Sequence, residues 1–104
     1  MQLSVFSKNG VSVRLSDERW AHIAEEHCEL AGMREEVMAA INEADKVVAG
    51  TANELLALHT LEDGKTLVVV YREVGAEDGF VITAFLTRRL ASLERRKQVW
   101  PEQS

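Results

Sequence analysis

Six side chains in this sequence have the types and positions to do chemistry together: Arg19, His22 and His27 in one stretch, and Tyr71, Thr83 and Arg88 further along. Imidazole titrates near neutrality, so it can give or take a proton under ordinary conditions. A guanidinium group pairs with phosphate or carboxylate oxygens through parallel hydrogen bonds. His22 and His27 are five residues apart. On an ideal helix they point about 140° apart, since each residue turns roughly 100°. They therefore do not make the i, i+4 zinc pair of an HExxH helix. Cys28 is the only cysteine, which rules out a multi-cysteine zinc cage and an internal disulfide. No metal and no cofactor is expected.

Each candidate has a plainer role beside the chemical one. His27 falls on an apolar stripe, as a hydrogen-bonded core or helix-end histidine or as a general acid or base where helix meets sheet. Its ring nitrogens need partners either way, because an unpaired buried polar group costs about 1–3 kcal/mol. His22 lies nearly opposite the centre of that stripe, where an exposed side chain is expected, and Arg19 suits an ion pair with Glu26. Thr83 is a good strand former, and Tyr71 suits packing with its hydroxyl at the rim. The cations Arg88, Arg89, Arg95, Arg96 and Lys97 form either a solvated helical face or a phosphate clamp. Trp100 beside them is a docked anchor or a surface for stacking a base.

The elements that would hold these residues follow from pattern. Apolar residues at 3–6 and 11–14 flank Asn9-Gly10, a pair that favours the positive-φ turn of a tight hairpin. Ser16 is a helix N-cap, with Asp17 and Glu18 complementing the dipole. Trp20, Ile23, Ala24, His27 and Cys28 mark one stripe of a helix reaching about Cys28. Gly32 interrupts, and Met33, Val37, Ala40, Ile41 and Ala44 mark a second helix over 33–44. Residues 46–49, 54–61, 66–72 and 80–87 read as strands, with Thr83 and Phe85 on one face of the last. The predicted fold class is α+β: an N-terminal hairpin and two helices packed on an antiparallel β-meander of about four strands.

With 104 residues, the chain fits one domain over 1–104. Its net charge of -5 opposes tight nonspecific nucleic-acid binding. The charge is uneven: residues 1–64 carry 5 basic and 12 acidic side chains, whereas residues 65–104 carry 7 and 5. Only the C-terminal portion would attract an anion. No apolar run follows a basic start and none approaches the ~20 residues of a membrane span. A cytoplasmic location with no membrane partner is expected.

The run Arg19-Trp20-x-His22-Ile23-x-x-x-His27, followed by a helix and a meander containing Val81-Ile82-Thr83-Ala84-Phe85, resembles the phage- and toxin-associated members of the barnase–EndoU–colicin–RelE (BECR) superfamily. The resemblance covers about residues 14–100. It implies one or two helices before a curved four-stranded antiparallel sheet, and a metal-independent endoribonuclease in which a ribose 2′-hydroxyl attacks the adjacent phosphate. It matches His22 and His27 to the helix histidines, Arg19 to the helix arginine, Thr83 to the strand hydroxyl and, more loosely, Arg88. With Tyr71 added from the strand pattern, His27, His22 and Thr83 are the expected catalytic residues, and Arg19, Arg88 and Tyr71 the expected substrate contacts. The implied partners are RNA and an inhibitor or partner protein, with a homodimer open to uncovered sheet edges. Two alternatives stay open: a non-catalytic binding or regulatory module on the same scaffold, and an unrelated small-molecule enzyme or binder.

Overall fold

The computed structural model describes residues 3–102. The first hairpin forms as the Asn-Gly pair predicts, with β1 (Leu3–Phe6) antiparallel to β2 (Ser12–Leu15) and Gly10 at positive φ. Ser16 caps α1 (Asp17–Glu26) by accepting a hydrogen bond from the Arg19 N–H at 3.1 Å. A 3-10 turn over Cys28–Leu30 leads into α2 (Arg34–Asn42), whose Val37, Met38, Ala40 and Ile41 are buried. The meander follows as β3 (Lys46–Ala49), β4 (Leu55–Thr60), β5 (Thr66–Glu73) and β6 (Gly79–Thr87). A one-turn α3 (Ala91–Glu94) and a short β7 (Gln98–Trp100) finish the chain.

The expected architecture, two helices on an antiparallel meander of about four strands, does not hold: the described residues form three α-helices and seven strands. Seven strands join one mixed sheet in the order β1-β2-β6-β5-β4-β3-β7. Two non-local pairings cause the difference. β2 lies parallel to the start of β6, through Val13 with Gly79 and Arg14 with Phe80. β7 returns antiparallel to β3, through Val47 with Trp100 and Val48 with Gln98. The BECR architecture implied by the resemblance is overturned by this topology. The toxin-like and phage-associated descriptors, and a ribonuclease label taken from that architecture, lose their ground with it. Any chemistry must be read from the chain's own side chains.

Gly79 makes the β2–β6 junction possible. A Cβ there would sit 2.6 Å from the Arg72 carbonyl oxygen and 3.3 Å from Val13 Cγ2. Glu73 reinforces the junction by accepting from Ser7 Oγ at 2.5 Å and Asn9 Nδ2 at 2.9 Å. The main core lies between the sheet and α1–α2, built from Val13, Leu15, Ile23, Leu30, Ile41 and Val69 with their neighbours. On the other face Val48, Leu56, Leu58, Val68 and Val70 form a second cluster, covered in part by Leu93 of α3. Lys8, in the β1–β2 turn, places its Nζ 4.3 Å from the centre of the Trp100 ring, so the turn of the first hairpin reaches β7 at the other end of the strand order. Trp100 packs against the main core, so it is the docked anchor and not an open stacking surface.

Two outcomes follow from this packing. Gly79→Ala forces backbone apart and should destabilise the fold by about 1–3 kcal/mol, read as a lower midpoint in urea. Tyr71, the one tyrosine, is 0% exposed. Burial, aided by the Glu73 carboxylate, holds its ionisation well above the ordinary tyrosine range. Tyrosinate absorbance should therefore be missing near pH 10 in the folded protein. The unfolded chain gives up the proton first, so stability should fall as pH rises beyond about 10.

Candidate functional site

The structure divides the six expected residues among three places. Arg19 and His22 lie one helical turn apart on the outer face of α1, lining a broad hollow of about 600 Å³ with Ser16, Glu18, Ala21 and Glu25. His22 is 57% exposed and its Nε2 lies 3.0 Å from Glu26 Oε1, so Glu26 pairs with His22 here. The walls of this hollow come from one helix and its capping residue. It brings in nothing from the sheet. Tyr71 is in the main core, on the opposite sheet face from Thr83. Among the described residues its hydroxyl has no hydrogen-bond partner. It touches no solvent and so cannot meet a substrate.

The third place is where α1 ends against β6: here His27 and Arg88 approach one another through Glu29, while Thr83 stays apart, further back along β6. α1 stops at Glu26. His27 is its C-cap, with φ -129° and ψ 73°, and its N–H bonds back to the Ile23 carbonyl. That non-helical backbone takes His27 off the helical spiral and away from the core stripe. Leu30 is buried where Cys28 was expected, and Cys28 is exposed. Because β2 accompanies only the first residues of β6, the later half of β6 has an open flank beside the 3-10 turn. There the His27 ring lies 6.3 Å from that of Phe85, tilted by 36°.

Thr83 and Phe85 share the face of β6 turned away from α1 and α2, since they pair with Val70 and Val68 of β5. Two residues along a strand put their side chains about 7 Å apart. Beyond Phe85, Glu29, Lys65, Leu86, Thr87 and Arg88 line a cleft of about 230 Å³. Glu29 Oε2 is 3.8 Å from His27 Nδ1 and so links the histidine to this cleft. Arg88 is braced by donating to the Asp63 carbonyl at 3.0 Å, and Lys65 Nζ is 3.8 Å from Asp63 Oδ2. The cleft thus combines a carboxylate, two cations and a hydroxyl, with the His27 imidazole next to it through Glu29. No hydrogen bond joins His27 to Thr83. Glu29, Lys65, Phe85 and Thr87 were not among the expected site residues. A signal for two of them existed: the β5–β6 hairpin, turning at residues 74–78, sets Thr66 opposite Thr87, and so brings Lys65 and Arg88, the next residue out on each strand, to the same end of the hairpin.

Among the described residues no three His, Cys, Asp or Glu side chains converge as a metal-binding group, and no helix is long and apolar enough to cross a membrane. No protein-family model, curated protein or solved structure matches the chain.

This placement separates core from site by mutation. Tyr71→Phe removes a buried hydroxyl without a partner, so urea denaturation should show unchanged or slightly higher stability. Thr83→Val and Arg88→Gln alter partly or fully exposed side chains and should shift unfolding by no more than about 0.5 kcal/mol.

Proposed function

We propose that this chain binds RNA at the junction of α1 and β6 and cleaves it without a metal. The observation that carries this reading is the His27 ring beside Phe85, joined through Glu29 to the cleft of Lys65, Thr87 and Arg88. The reading rests on these side chains and not on the family resemblance. Lys65 and Arg88 supply positive charge for phosphate oxygens, and Arg88 can do so in a bidentate manner. Glu29 takes the proton of the ribose 2′-hydroxyl, whose oxygen then attacks phosphorus. The P–O5′ bond breaks, and protonated His27 gives its proton to the leaving oxygen. The products are a 2′,3′-cyclic phosphate and a free 5′-hydroxyl. Lys65 and Arg88 offset the charge that builds on the phosphate.

A second reading has its own observation. His22 and His27 each face a carboxylate, Glu26 and Glu29, which is also how histidines are held in a purely binding or regulatory module.

Incubation of a mixed RNA in EDTA distinguishes the two. The protein should yield fragments with 2′,3′-cyclic phosphate ends. His27→Asn should lower the rate by about 10²–10⁴, the usual weight of one acid–base group, and Glu29→Gln should also slow it. His22→Asn should leave it unchanged. Intact RNA with folded protein would reject cleavage and leave the binding module.

A further inference from the structure

We propose that the substrate is a single, unstacked RNA strand lying along β6, with Phe80 and Phe85 as two base-stacking platforms. This deepens the RNA reading above and rests on it.

Phe80 and Phe85 are five residues apart, and simple alternation along a strand would put them on opposite faces. The pairing with β5 shows otherwise. Val81 pairs with Tyr71 and Thr83 with Val70, so Ile82 is an extra residue in β6 with no partner of its own. This bulge restores the phase. Phe80, opposite Arg72, and Phe85, opposite Val68, face the same way, with Thr83 between them. Both rings are partly exposed, and Phe85 packs in part against the second cluster.

Each platform has cations near it. The Arg14 guanidinium carbon lies 5.8 Å from the centre of the Phe80 ring. Arg14 also pairs with Asp78 and donates to the Gly79 carbonyl. Arg72 stands across from Phe80 and donates to the Ala52 carbonyl at 2.9 Å, while its Nε is buried with no partner among the described residues. Phe85 has His27 beside it and Lys65 and Arg88 beyond. Alternating aromatic rings and cations is the chemistry by which proteins hold single strands, because every base has a face to stack and every step a phosphate.

Stacking selects the substrate class. The two platforms are four β5 residues apart, about 14 Å at ~3.4 Å each, so they take two bases of one strand. A base can lie on either ring only when it has left the stack of its own strand, as in loops and single-stranded segments, and a duplex does not offer that.

Fluorescence anisotropy with 2′-O-methyl oligonucleotides tests this, since the blocked 2′-oxygen separates binding from turnover. A pyrimidine octamer should bind more tightly than a dinucleotide and more tightly than a duplex of the same length. Phe80→Leu and Phe85→Leu keep an apolar side chain, and circular dichroism should report each as folded. Each should weaken octamer binding by roughly 5- to 150-fold, the weight of one stacked base. Equal affinity for duplex and single strand, or octamer binding indifferent to Phe80→Leu, would overturn the track even if metal-free cleavage persists. Octamer binding that depends on both rings while unmodified RNA stays intact would uphold the track and reject only the cleavage step.

Discussion

The constraint on which the arrangement depends is how briefly β2 stays beside β6. The two strands are parallel for only two residue pairs, where Gly79 leaves room for the approach. β2 then gives way to α1, which crosses toward the uncovered flank of β6. Longer pairing would have sealed that flank with backbone hydrogen bonds and left His27 no approach to Phe85. Without any pairing, the hairpin would have lost the neighbour that buries Val13 and Leu15. The short overlap meets both needs, and the 3-10 turn after Glu26 closes the gap with Leu30 inside and His27 at the margin.

Charge is distributed to suit the same place. The acidic first half of the chain puts Glu18, Glu25 and Glu26 on the exposed side of α1, while Lys65 and Arg88 stand at the far end of the β5–β6 hairpin. An approaching polyanion meets repulsion over α1 and attraction beyond β6, so a molecule with net negative charge can still have one receptive side. Glu29 lies on the boundary, within reach of His27 and inside the cleft.

Much of the fold was legible because local pattern dictates it. The Asn-Gly turn, the Ser16 cap, the α2 stripe and the alternating strands of the meander all form near their predicted bounds. What failed depends on contacts distant in sequence. Nothing local marks Val13 as the neighbour of Gly79, and three residues from Gln98 to Trp100 are too few to read as a strand. The site was legible in part. His27 and Arg88 stand on either side of Glu29, with Thr83 set back along β6, but an ideal helical spiral could not foresee that α1 ends one residue before His27. The rim position expected for Tyr71 failed because its hydroxyl is buried with its ring. Arg19 and His22 followed helical geometry faithfully, which is why they share a surface that the sheet does not reach.

The extra residue in β6 acts as a phase shifter for everything after it. Residues 83–87 keep the apolar-inside arrangement only because one position is spent without a partner, and the side chains at Ala84 and Leu86 depend on that offset as much as Phe85 does. Losing a single residue from this strand would turn its second half over and exchange its core-facing and outward-facing side chains. The polar loop over residues 75–78 connects the same two strands from outside, with its residues exposed, so a change of length there leaves the phase intact. Evolution of this chain therefore has freedom in loop length within a few residues of a place where the count is fixed.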